Sequence, residues 1–62
     1  MKNVNSETAR IALIIHTKDT NEEVLTRFAR PEKLDYELFQ IGLHDNWIIA
    51  GTYLADQYGN RI

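Results

Sequence analysis

A 62-residue chain without a single cysteine has to fold with neither a disulfide nor a thiolate metal site to hold it together. Domains of this size bury only about 60% of the surface that the unfolded chain exposes, so one apolar core is marginally stable. Metal binding has little to add, because His16, His44 and scattered carboxylates make a poor zinc site. Stability must therefore come from apolar packing, which a second copy or a partner can supplement.

The charge balance disfavours nucleic acid as a partner. Seven Lys and Arg against nine Asp and Glu give a net charge of −2, and the basic residues form no run along the chain. Apolar residues make up 44% of the sequence, too many for a fully disordered chain. We expect one domain over residues 1–62, with residues 1–5 flexible.

No segment of the sequence resembles a membrane span or a signal peptide. The longest apolar run, Ile11 to Ile15, is far shorter than the ~20 residues that cross a bilayer. Residues 1–6 lack the apolar core of a signal peptide. We therefore expect a cytoplasmic protein that does not bind membranes.

The first half of the chain predicts two helices. Apolar spacing over residues 6–17 indicates a first helix, although the isoleucine-rich run Ile11–Ile15 also favours a strand. Thr20 and Glu23 are spaced as a capping box and predict the start of a second helix. This second helix ends at about residue 29, because Pro31 disfavours helical backbone before it.

The second half predicts two more helices. Leu34, Leu38 and Ile41 are spaced i, i+4 and i+7, which indicates a helix over residues 32–43. A fourth helix over residues 46–57 places its apolar side chains on one stripe. The predicted fold is all-α: a small bundle of about four short helices, stacked as two helix pairs.

A strand interpretation competes with this prediction. The segments Tyr36–Leu43 and Trp47–Leu54 can form a hairpin closed by His44, Asp45 and Asn46. The chain would then be a small α+β domain with the order β-α-β-β and a C-terminal hairpin.

A weak internal repeat favours the helical prediction. A shift of 26 residues aligns four identical pairs, which are Ile15 with Ile41, Asp19 with Asp45, Thr26 with Thr52, and Ala29 with Ala55. The first unit resembles variant leucine-rich repeats and HEAT-like α-helical repeats through Thr20, Glu22, Glu23, Val24, Leu25, Phe28 and Ala29. The family's turn prolines are missing, since Lys18 and Asn21 stand in their places. The resemblance covers about residues 10–56. It implies stacked helix pairs and a protein-binding role, with no catalytic residues.

No motif in the sequence indicates catalysis or a cofactor. His16 and His44 have no triad partners, and no glycine spacing matches a phosphate-binding loop. A helix-turn-helix regulator that binds DNA is the alternative function, with helices 20–29 and 32–43 joined at Pro31. The acidic residues of helix 32–43 would repel DNA phosphates, which weakens that alternative.

The repeat also indicates a contact surface. Polar residues that face outward in the first unit correspond to Trp47, Ile48, Ile49 and Tyr53 in the second. These residues are buried in a central helix, belong to a strand instead, or are exposed as an apolar patch of the kind that contacts other proteins. We predict partner binding by Tyr36, Trp47, Ile48, Ile49 and Tyr53.

The predicted function is that of a small protein–protein interaction module. It acts as an inhibitor or adaptor of a larger protein, in the manner of compact proteins encoded by phages and mobile elements. A homodimer formed through the same surface is a further expectation, because dimerisation would cover the patch. The sequence leaves the identity of the partner open.

Overall fold

A computed structural model describes residues 8–62 and shows a three-stranded antiparallel sheet with one α-helix. The elements are β1 (Arg10–Thr17), β2 (Glu23–Ala29), a short 3-10 turn (Pro31–Lys33), α1 (Leu34–Gly42) and β3 (Trp47–Ala55). The strand order is β2-β1-β3, and both neighbours pair antiparallel with β1. The edge strands β2 and β3 therefore run in the same direction, and α1 connects them. The flexibility predicted for residues 1–5 lies outside the described residues.

The isoleucine-rich run forms the central strand rather than a helix. Leu13 and Ile15 are fully buried on β1 and pack with Ile41 of α1. Ala12 is also buried, although alternation along a strand points it to the opposite face of the sheet. Because both faces of β1 are covered, its sequence lacks the polar alternation of a half-exposed strand. The helix predicted over residues 6–17 is thus wrong for residues 10–17.

The predicted capping box is a hairpin turn. The Thr17 N–H donates to the Glu22 carbonyl at 2.8 Å, and the Thr20 hydroxyl donates to the Glu22 carboxylate at 2.8 Å. Asn21 has φ of 58°, a left-handed conformation that asparagine tolerates better than most residues. Threonine, asparagine and glutamate serve turns as well as helix starts. Residues after this turn pair with β1, so the helix predicted over residues 20–29 is wrong.

The helix predicted over residues 32–43 is confirmed, with Pro31–Lys33 as a 3-10 turn and Leu34–Gly42 as α1. Arg30 is extended, with φ of −70° and ψ of 145°, as expected for the residue before a proline. Pro31 occupies the first turn, where its missing N–H leaves no helical hydrogen bond unmade. The local signals at both ends of this segment agree with its apolar spacing.

Residues 46–57, predicted as a helix, contain β3 instead. Thr17 pairs with Trp47 and Arg10 with Ala55, and the register shifts once between Ile14 and Ile15 of β1. The alternative hairpin is also wrong, because Tyr36–Leu43 overlaps α1 rather than a strand. The predicted turn at His44–Asn46 connects α1 to β3.

The all-α bundle and the helical-repeat resemblance are therefore both wrong. The order of elements is β-β-α-β, which also differs from the β-α-β-β alternative. In the first repeat unit a strand precedes the turn, and in the second unit α1 precedes it. What the two units share is a polar turn followed by an edge strand that pairs with β1.

The described core is small. It contains seven buried apolar residues, of which four are alanines: Ala9, Ala12, Leu13, Ile15, Ala29, Ile41 and Ala55. The domain measures 40 × 20 × 13 Å, so its short dimension holds little more than one sheet and one helix. Eleven large apolar side chains in the described part of the chain stay exposed as a result.

Candidate protein-binding surface

The outward side of α1 carries a stripe of large apolar side chains. Tyr36, Phe39 and Leu43 are 59%, 64% and 61% exposed. They are spaced i, i+3 and i+7, so they project from the same side of the helix over about 10 Å. Leu43 is the C-cap residue, and its backbone is still helical. These three residues are called the outer stripe below.

The opposite side of α1 is anchored in the core. Ile41 is only 4% exposed and packs with Leu13, Ile15 and Ala29. Leu34 is half-buried against the same cluster, about two turns before Ile41. Both sides of the helix are thus apolar, but one side alone has a partner within the described residues.

An ion pair between β2 and α1 fixes which side of the helix faces the sheet. Arg27 Nη2 lies 2.7 Å from Glu37 Oε1, and Arg27 Nε donates to the same oxygen at 3.0 Å. The Glu37 side chain is mostly buried, so solvent screens this pair less than an exposed one. The pair joins β2 to the sheet-facing side of α1, away from the outer stripe.

The charged neighbours on the Phe39 side of the outer stripe are acidic, whereas Arg30 and Lys33 line a cleft beside Tyr36. Asp35 lies beside Phe39 on the helical wheel, and Glu32 precedes it in the 3-10 turn. Both are exposed, and neither forms an ion pair with another described residue. The segment Leu34–Gly42 contains no lysine or arginine. The stripe is therefore an apolar ridge with an acidic flank.

The structure does not bring the five predicted contact residues into one surface. Tyr36 belongs to the outer stripe. Trp47 and Ile49 are half-buried and pack against the core. Ile48 and Tyr53 pair with His16 and Ala12, whose side chains point to the face of the sheet opposite the core cluster. Strand alternation separates residues that a helix would have grouped.

Aromatic contacts hold two of these side chains in place. The His44 ring stacks on Trp47 with centroids 3.6 Å apart and planes 15° apart. Tyr53 meets the edge of Phe28 at 6.5 Å, and the Arg61 guanidinium lies 5.2 Å from the Tyr53 ring centroid. These contacts stabilise the fold, so Trp47 and Tyr53 are less available to a partner than the outer stripe.

Sequence reasoning missed Phe39 and Leu43 as contact residues. The spacing of Leu34, Leu38 and Ile41 predicts the helix but includes neither of these two residues. The signal that could have identified them is a second apolar stripe, about 180° from the first on the same predicted helix. A helix that is apolar on both sides and exposed on one of them carries the kind of patch that is typical of contact surfaces.

Other groups in the described region do not assemble a chemical site. His16 Nδ1 lies 3.1 Å from Asn21 Oδ1 at the hairpin turn, whereas the His44 ring stacks on Trp47. No three His, Asp or Glu side chains within residues 8–62 are grouped as metal ligands. Nor does the described region contain a helix of the length and hydrophobicity that a membrane crossing requires.

No family model matches the sequence, and comparisons with curated proteins and with solved structures also found no match. Since no relative supplies a function, the geometry of α1 and its outer stripe carries the functional conclusion.

Proposed function

We propose that this chain is a small protein–protein interaction module that docks on a larger protein through the outer stripe of α1. One observation carries the proposal: Tyr36, Phe39 and Leu43 are each more than half exposed on a helix whose other side is fixed in the core. A binder of this kind acts by blocking or bridging its target, as an inhibitor or an adaptor.

The shape of the stripe favours an apolar groove as its counterpart. Helices that dock in grooves use anchors at i, i+3 or i+4, and i+7, and the outer stripe has this spacing. Large aromatic side chains such as Tyr36 and Phe39 contribute much of the binding energy in such contacts. The acidic flank formed by Glu32 and Asp35 favours a groove with basic residues at its rim.

A second copy of the chain is a poorer occupant than a larger protein. The cleft beside Tyr36 is lined mainly by charged side chains, so the outer stripe of a neighbouring copy would find no apolar groove there. Two outer stripes packed against each other would also bring two unpaired Asp35 carboxylates toward one interface. We therefore commit to a partner with a concave apolar site, while its identity and a cytoplasmic location stay predictions.

Affinity capture with matched variants tests the proposal. Phe39→Ser with Leu43→Ser removes two anchors, and Val24→Ser with Tyr58→Ser removes two exposed apolar side chains elsewhere. Tagged proteins are incubated with lysate from cells that express the chain, and captured proteins are quantified by mass spectrometry. We expect a protein held by the wild type and the control to drop at least tenfold with the stripe variant.

Two results would overturn this proposal. Equal capture by the stripe variant and the control would show that α1 is not the contact surface. Sedimentation could also show a wild-type dimer that the stripe variant converts to a monomer, which would assign the stripe to a second copy. Circular dichroism of both variants confirms that each retains the fold before capture is compared.

A further inference from the structure

A cleft of about 500 Å³ lies where the start of β1, the end of β2 and the start of α1 meet. It is lined by Arg10, Phe28, Arg30, Lys33, Tyr36 and Glu37. Sites for small molecules in proteins are typically about 300–1,000 Å³ in volume. The cleft is therefore large enough for a small ligand, and its lining indicates the chemistry of that ligand.

Three cationic side chains surround the cleft. The side chains of Arg30 and Lys33 are exposed and form no hydrogen bond or ion pair within the described part of the chain. Arg10 is half-buried, and its Nη1 donates to the carbonyls of Thr8 and Ala9 at 3.0 and 3.1 Å. These bonds position the guanidinium, and within residues 8–62 its Nε and Nη2 have no partner and can donate to a ligand.

The carboxylate of Glu37 does not cancel this positive charge. Glu37 Oε1 lies 2.7 Å from Arg27 Nη2, so the two opposite charges largely cancel and the pair adds little net charge to the cleft. Three of the chain's seven basic residues line this cleft, although the whole chain has a net charge of −2. The hairpin turn at the other end of β2 carries Asp19, Glu22 and Glu23 instead.

Aromatic side chains complete the lining. Phe28 and Tyr36 are 44% and 59% exposed, so both rings offer surface to a ligand in the cleft. Aromatic side chains bind planar rings by stacking, and arginine binds phosphate through paired hydrogen bonds. The combination of cations and exposed rings fits an anion that also carries a flat apolar group.

We propose that this cleft binds a small phosphorylated molecule with a planar ring, a ligand of the nucleotide class. A long nucleic acid is a poorer match, because it needs several phosphate contacts along a path and the rest of the chain is acidic. The site goes beyond the proposed docking function. Tyr36 borders both surfaces, so the test uses Arg30 and Lys33, which lie outside the outer stripe.

Titration followed by ¹H–¹⁵N NMR tests the cleft with adenosine monophosphate as the probe. We expect saturable shifts of amides at residues 28–37 and Arg10, with a Kd below about 1 mM at low salt. Arg30→Gln with Lys33→Gln should weaken binding at least tenfold. Lys18→Gln removes a cation at the distant hairpin turn and should leave the affinity unchanged.

Three outcomes would overturn the inference. Adenosine monophosphate could shift amides elsewhere or nowhere at millimolar concentration. The variant Arg30→Gln with Lys33→Gln could bind as tightly as the wild type, with a well-dispersed spectrum that shows it is folded. Inorganic phosphate could bind as tightly as the nucleotide, which would exclude a role for the planar ring. The substituted residues Arg30 and Lys33 lie outside the outer stripe, so the docking proposal can fail or hold separately.

Discussion

The two sides of α1 have the same apolar character and opposite environments. Ile41 on the inner side is 4% exposed among core residues, whereas Leu43, two residues later, is 61% exposed. The difference shows that hydrophobicity alone does not mark the core of so small a domain. The sheet covers one side of the helix, and the other side stays exposed.

The largest difference in the free energy of unfolding should come from truncating one side chain on each side of α1. Ile41→Ala should cost about 2–4 kcal/mol, because it removes buried packing and leaves a cavity. Leu43→Ala should change stability by less than about 1 kcal/mol, because its side chain is already largely in water. Urea unfolding followed by circular dichroism measures both variants.

A milder variant keeps this comparison informative if Ile41→Ala is unfolded. Ile41→Val should cost about 1 kcal/mol, still more than Leu43→Ala. Equal losses on the two sides would mean that Leu43 is buried in solution, and the outer stripe would not exist as described.

A smaller effect is expected from the ion pair that orients the helix. Arg27→Ala with Glu37→Ala should cost at most about 1 kcal/mol, since the arginine side chain is 40% exposed and solvent screens the pair. A double-mutant cycle measures the coupling, which should shrink as salt is added. No coupling at low salt would mean that core packing alone orients α1.

The smallest effect is expected from the hydrogen bond between Asn46, just before β3, and Asp19 in the hairpin turn. The side-chain hydrogen bond from Asn46 and the backbone N–H of Thr20 hold the pKa of Asp19 below its ordinary value of about 3.9. A lowered carboxyl pKa stabilises the fold above the unfolded-state pKa, and this contribution is lost as pH falls through the folded-state pKa.

Asn46→Ala should therefore raise the pKa of Asp19 and reduce the acid dependence of stability below about pH 4. NMR titration of the Asp19 carboxyl measures the change directly. Asp45→Ala removes the neighbouring exposed carboxylate and serves as the control. An unchanged Asp19 pKa in Asn46→Ala would show that this bond does not hold the two turns together.

The helix was predicted correctly because neighbouring residues in the sequence determine it. The helix over residues 32–43 has a proline at its start and an i, i+4, i+7 pattern within itself. The strands depend on pairing across distance, as between Arg10 and Ala55. Thr20 and Glu23 fit a capping box, but in the structure Thr20 bonds Glu22 in a hairpin turn and Glu23 begins β2, so local chemistry could not decide between the two.

The candidate site was predicted in part for a related reason. Tyr36 was predicted as a contact residue and lies in the outer stripe, but Phe39 and Leu43 were not predicted. Trp47 and Ile49 were predicted as contacts because residues 46–57 were expected to be a helix. The segment forms β3 instead, and both side chains are half-buried against the core. Which apolar residues stay exposed depends on how far the sheet extends. The extent of the sheet is set by the pairing of distant strands, which the local periodicity of the sequence does not reveal.

Thiol labelling tests the contrast between the two sides of α1 most directly. The chain contains no cysteine, so a single introduced cysteine reports on its own position. In the free protein we predict fast labelling of Phe39→Cys and slow labelling of Ile41→Cys. Addition of the captured partner should slow labelling of Phe39→Cys at least tenfold and leave an introduced Tyr58→Cys unaffected. Slow labelling of Phe39→Cys in the free protein, or unchanged labelling in the complex, would contradict the account.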